Sequence, residues 1–105
     1  MTELVIVLCT APPGGADKIA RTLVDERLAA CVNVTLVRSY FIWRDKPSDE
    51  REEIMIIKTE QRMLDKLKAR IKELHSYELP EIIALPIIAG DEGYLQWISR
   101  SVGGP

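Results

Sequence analysis

Hydrophobic and polar positions follow three rhythms along this chain. Leu4-Val5-Ile6-Val7-Leu8 is apolar without alternation, the pattern of a strand covered on both faces. Pro12-Pro13-Gly14-Gly15 interrupts it, as turn-forming residues do. From Ala16 to Ala29 the rhythm turns helical, with Ala16, Ile19, Ala20, Leu23 and Val24 on one face. Cys31 to Trp43 is rich in β-branched and aromatic residues, and Val32, Val34, Leu36, Tyr40 and Ile42 share one parity, which predicts a strand. Arg44-Asp45-Lys46-Pro47-Ser48 reads as a hairpin turn. Glu50 to Thr59 returns as a strand, polar first and then apolar through Ile54, Met55, Ile56 and Ile57.

Gln61 to Leu74 is helical again, with Leu64, Leu67, Ile71 and Leu74 at helical spacing. Ile82 to Ile88 predicts another strand. Pro86 within it lacks a ladder donor, which implies a sheet edge or a bulge. Gly90-Asp91-Glu92 opens a short helix carrying Tyr94, Leu95, Trp97 and Ile98, with Tyr94 and Trp97 expected to cover the core. The tail, Ser101 to Pro105, is expected to fray.

The order is strand-helix-strand, strand-helix-strand, then a helix. It predicts one α+β domain over residues 1–105: a ferredoxin-like βαββαβ sandwich with an extra C-terminal helix and a long protruding β-hairpin. The hairpin strands are long against a typical ~5–6 residues. Their free edges invite pairing with another subunit.

Composition narrows the function classes. Sixteen acidic residues interleave with fourteen basic ones for a formal charge of -2. No basic stripe stands out, which argues against nucleic acid as a partner. No apolar run approaches the ~20 residues of a membrane helix, and the first run is short and lacks a basic leader. The expected address is therefore cytoplasmic. Cys9 and Cys31 fit neither a metal-finger spacing nor a disulfide framework and are expected to be thiols in a reducing compartment.

Topology sorts the chemical residues. Cys9, near the end of the first strand, and the segment His75-Ser76-Tyr77-Glu78-Leu79-Pro80-Glu81 should meet at one pole, since the first and fourth strands of this fold are neighbours. Cys31 belongs at the opposite pole, too far for an intrachain disulfide. Thiolate and imidazole suit copper or zinc. Two ligands make only a weak site, and Glu78 and Glu81 are the nearest carboxylates to add. The same pair could serve as nucleophile and base, but no orienting group or oxyanion hole is legible. It could also be a buried thiol beside a histidine at a helix C-terminus. Pro13-Gly14-Gly15 before a helix matches no phosphate-binding pattern.

Several stretches together resemble the CutA divalent-cation-tolerance family. They are Val7-Leu8-Cys9-Thr10-Ala11-Pro12, Leu28-Ala29-Ala30-Cys31-Val32-Asn33, Ser39-Tyr40-Phe41-Ile42-Trp43 with Lys46, Ile57-Lys58-Thr59, His75 through Ile82, and Tyr94-Leu95-Gln96-Trp97. The resemblance covers nearly the whole chain in order. It implies a ferredoxin-like subunit, a homotrimer joined through β-hairpin edges, and a non-enzymatic link to copper or other divalent cations held at low affinity. The metal contacts proposed in bacterial members fall on Cys9 and His75 here, while a second histidine of some members is Leu74. The alternative is a PII-like trimeric signalling module with a small molecule between subunits, motivated by the hairpin and by Tyr77, Glu78 and Glu81. A hydrolase resembling acylphosphatase would need an Arg in the Pro12–Gly15 loop, which has none.

Overall fold

The computed structural model describes residues 3–103. The fraying expected of Gly104 and Pro105 falls outside them. Strand β1 (Leu4–Ala11) leads into helix α1 (Ala16–Asp25), then β2 (Cys31–Trp43) and β3 (Lys46–Glu60). A 3-10 turn (Gln61–Met63) precedes α2 (Leu64–Leu74), followed by β4 (Ile83–Pro86) and α3 (Glu92–Ser101). The strands form one antiparallel sheet in the order β2-β3-β1-β4. This is the predicted ferredoxin-like sandwich with its added C-terminal helix.

Strand parity decides what is inside. Val5, Val7, Cys9 and Ala11 of β1 join Met55 and Ile57 of β3 in a core closed by Ile19 and Leu23 of α1 and Leu67 and Ile71 of α2. The opposite face carries Leu4, Ile6, Leu8, Ile54, Ile56 and Lys58. Helix α3 packs against β3 and β1, and its buried Ile98 lies outside the α1–α2 core cluster.

Several boundaries differ from expectation, each for a physical reason. β1 runs on to Ala11, because β3 supplies partners as far as Glu53. α1 ends at Asp25, not Ala29: Arg27 takes a left-handed φ of 57° and reverses the chain. The hairpin turn is only Arg44-Asp45, with φ of 50° and 65°, the two-residue geometry that matches strand twist. Lys46, Pro47 and Ser48 are thus already paired strand, opposite Trp43, Ile42 and Phe41. β4 is an edge strand with Pro86 at its end, opposite Val5, as the missing donor requires.

The C-terminal helix turns its face differently from the prediction. Ile98 is fully buried, whereas Tyr94 and Trp97 are 44% and 39% exposed. Those two rings stack on each other at 5.3 Å. Asp91 caps the helix by accepting from the Tyr94 N–H at 3.0 Å. The tail is held as far as Val102, which is 4% exposed, and Gly103, whose N–H donates to the Arg27 carbonyl.

β1 pairs with β3 only from Glu60 to Glu53. Beyond that, the hairpin continues as a two-stranded ribbon from the Val37–Glu52 pair to the Trp43–Lys46 pair. This overhang gives the molecule its long dimension of 43 Å.

Candidate functional site

The pole beyond the end of β1 gathers residues from four elements. α2 ends at His75, whose extended backbone (φ -85°, ψ 140°) leaves the helix while its N–H still donates to the Ile71 carbonyl. That break turns the imidazole back over the sheet. Its Nε2 lies 2.7 Å from the carbonyl oxygen of Thr10, the residue after Cys9. Its Nδ1 accepts from the Tyr77 N–H at 3.0 Å. A ring that accepts at Nδ1 carries its proton on Nε2, which donates to Thr10. Both ring nitrogens are therefore engaged.

The Tyr77 ring lies against the imidazole, centroids 4.7 Å apart. Its hydroxyl donates to Glu52 Oε2 at 2.8 Å. Glu52 is 6% exposed, so this bond replaces water on a nearly buried carboxylate. Burial, and then Glu52, push the Tyr77 hydroxyl well above its ordinary pKa, with Glu50 adding.

Cys9 sits beneath, wholly buried in the core, its Sγ 3.7 Å from the Thr10 carbonyl. Burial pushes its pKa up to about 12, and the charges of Glu81 and Glu52 reinforce the rise. At neutral pH it is a protonated core thiol. Glu81 is exposed, and its effect on Cys9 sets it at the same pole. Glu78, also exposed, reaches Arg44 of the hairpin turn at 3.6 Å.

The structure thus brings His75, Cys9 and Glu81 to one pole, as topology predicts, and turns Glu78 toward the hairpin. It keeps Cys31 apart. Cys31 opens β2 on the sheet face opposite Cys9, and both thiols are free. Sequence reasoning missed Glu52 as a partner of Tyr77, and it missed Glu53. The Glu53 Oε1 accepts from the Ala16 N–H at 3.1 Å. A carboxylate of the protein itself thus occupies the α1 N-terminus, which answers the question of an anion site there. The signal for both was a run of glutamates entering a strand, where some must lie at covered positions.

Held against a metal's needs, this donor set is poor. Among the described residues no group of three or more His, Cys, Asp or Glu side chains converges, whereas a resident borderline ion takes about four donors. The thiol is protonated and the imidazole is doubly hydrogen-bonded. A hollow of about 230 Å³ beside His75 is rimmed by Lys18, whose charge opposes a cation. One subunit as folded does not fit a tightly held ion.

The family model described as CutA1 divalent ion tolerance protein matches residues 5–101. A divalent-cation tolerance protein CutA of Thermus thermophilus is 42% identical over 100 residues, covering 93% of this chain and 97% of that protein. A chloroplastic protein CutA of Arabidopsis thaliana is 40% identical over 99 residues, 92% of this chain but 54% of that protein. The chain thus spans about half the length of the plant relative and nearly all of the bacterial one. A solved structure described as the periplasmic divalent cation tolerance protein CutA of Archaeoglobus fulgidus superposes with a TM-score of 0.92 at 36% identity, over 95% of this chain and 99% of that one.

Proposed function

The chain belongs to the CutA1 divalent ion tolerance family, and from that premise we propose that it is a non-enzymatic homotrimer that meets divalent cations, copper foremost, weakly at the pole of His75. The observation that carries the reading is the single juxtaposition of His75 and the Cys9–Thr10 segment, with Glu81 close enough to act on Cys9. A soft or borderline cation would be met first by His75, once its ring gives up the bond to Thr10 or the one from Tyr77. Glu81 and Glu78 add charge nearby. Cys9 joins only if the strand end opens, because its thiol is buried and protonated. The contact is accordingly an exchanging one with no resident ion, and no reaction step is assigned to it.

The trimer is supported by the exposed apolar side chains of the hairpin and β4. The small-molecule signalling reading is not favoured, since the Thermus relative and the Archaeoglobus structure are described as divalent-cation tolerance proteins. Among the described residues no helix is long and apolar enough to cross a membrane. The cytoplasmic address is part of the proposal. The family itself does not carry it, because the Arabidopsis relative is described as chloroplastic and the Archaeoglobus structure as periplasmic.

The test is titration of the reduced protein with copper and zinc beside His75→Ala. The variant should bind several-fold more weakly, on the order of the tenfold loss that follows removal of a supporting donor. Equal affinity in both proteins would remove His75 from the account.

A further inference from the structure

The misfit between the pole of His75 and a cation has one residue at its centre. Tyr77 donates twice there. Its N–H donates to His75 Nδ1 at 3.0 Å, and its hydroxyl donates to Glu52 Oε2 at 2.8 Å. The imidazole has one nitrogen free of a proton, because Nε2 donates to the Thr10 carbonyl at 2.7 Å. Tyr77 fills the lone pair of that nitrogen. The same residue fills an oxygen of Glu52, the nearly buried carboxylate of this pole, whereas Glu78 and Glu81 are exposed. Its ring closes over the imidazole, centroids 4.7 Å apart. One residue therefore occupies, as a donor, both an imidazole and a carboxylate that would otherwise attract a cation.

Tyr77 stands on a stretch suited to moving. Residues 75–82 contain neither helix nor strand, and they run between two fixed ends, the last turn of α2 and Ile82, which packs against the core. The other side-chain tie of this stretch to the hairpin is Glu78 with Arg44 at 3.6 Å, both about three-quarters exposed, and such a pair contributes little. A hydroxyl donating to a nearly buried carboxylate contributes more, because its acceptor is charged. Tyr77 is thus the anchor of the stretch. We propose that Tyr77 is an autoinhibitory residue: it holds His75 and Glu52 closed to cations, and the cation-accepting state of the pole is the one from which Tyr77 has withdrawn. This inference rests on the reading of the pole as the place where divalent cations are met, and it adds what controls access to it. The N–H and O–H of Tyr77 are competitors that are always present. The apparent affinity is therefore that of the open state multiplied by the fraction of molecules that are open. Withdrawal also leaves Glu52 as a nearly buried charge without its donor, which favours a cation at the open pole.

The experiment uses the full chain, reduced, with copper and zinc added as simple salts. Tyr77→Phe keeps the ring and the N–H and removes only the hydroxyl that anchors the stretch. It is expected to bind copper about tenfold more tightly than the native chain, the loss of one hydrogen bond to a charged acceptor being returned as open molecules. A second measurement needs no variant and stands if Tyr77→Phe does not fold. Residue-resolved amide hydrogen exchange is followed in the native chain with and without saturating zinc. The Tyr77 amide is expected to exchange faster with zinc, because it has lost His75 as acceptor, while the β1 amides keep their rates. A Tyr77→Phe chain that binds copper no more tightly than the native one overturns the proposal, and so does a Tyr77 amide whose exchange zinc leaves unchanged or slows. Either result beside a weakened His75→Ala leaves the reading of the pole standing and removes only the autoinhibition. His75→Ala at native affinity removes both.

Discussion

At the scale of single residues, the two cysteines are set apart by which side of a strand they occupy. Cys9 shares parity with Val5, Val7 and Ala11, so it enters the core; Cys31 alternates with Val32 and leaves it. That parity is written in the sequence, where a buried core thiol is one of the readings Cys9 offers beside a contact with His75. The burial has a pH consequence. The folded state holds the Cys9 proton up to about 12, whereas an unfolded cysteine releases it near 8.5. A raised folded pKa contributes stability that is complete below the unfolded value and is lost as pH climbs toward the folded one. Urea midpoints should therefore be unaffected by Cys9 at pH 7–8. Between roughly pH 9 and 12 stability should fall by up to about 1.4 kcal/mol per pH unit. Cys9→Ala, though less stable for its lost packing, should fall less steeply over that range. An identical slope in both proteins would show that Cys9 ionises as freely in the fold as outside it. Tyr77 pushes in the same direction above its own unfolded pKa, and the alanine variant separates the two.

At the scale of elements, periodicity located every strand and helix, and the misjudged ends are those governed by backbone conformation or by distant partners. The turn is legible within Arg44–Ser48 but its two-residue length is not, since neither Arg44 nor Asp45 is glycine or asparagine, yet both adopt left-handed φ. Glu53 capping α1 and Glu52 receiving Tyr77 join residues far apart in sequence, so no local window could reveal them. The turn offers a clean substitution. Asp45 holds φ 65°, which a side chain adopts at a cost and glycine does not. Its carboxylate has no hydrogen bond among those described. Asp45→Gly should therefore raise stability by about 0.5–1 kcal/mol, net of the extra freedom of glycine in the unfolded chain. Thermal unfolding beside the parent measures it, and a lower Tm would mean that the aspartate side chain contributes more than the turn strain removes.

At the scale of the whole molecule, the hairpin overhang poses the main energetic problem of the fold. On one side of the hairpin Leu36, at the base of the ribbon, and Tyr40 and Ile42 along it are 71%, 71% and 67% exposed, and on the other Phe41 and Trp43 remain more than a third exposed. Ile83 and Leu85 of β4, at the far edge of the sheet, are about half exposed. A lone two-stranded ribbon is marginal in water, and apolar side chains recover about 25 cal/mol per Å² only when something covers them. Polar contacts along the stem, such as Arg38 with Asp49 at 2.7 Å, are exposed and contribute little. Partner subunits laid against the ribbon would supply the missing cover, which is the pairing that a long hairpin with free edges invites in the sequence; the trimer itself is what the family resemblance implies and what is proposed above. The hairpin should then owe its order to assembly. Light scattering is expected to give a trimer, not a particle near 11.9 kDa, with a Tm that rises with protein concentration. Ile42→Glu puts a charge into the proposed contact without touching the core, as Ile42 lies outside the core on the ribbon and is two-thirds exposed. It should shift the mass toward monomer and abolish the concentration dependence of Tm. A wild-type chain that stays monomeric would dismantle both the trimer and this account of the ribbon. If Ile42→Glu left a trimer intact, the contact would have to lie on the Ile83–Leu85 edge instead.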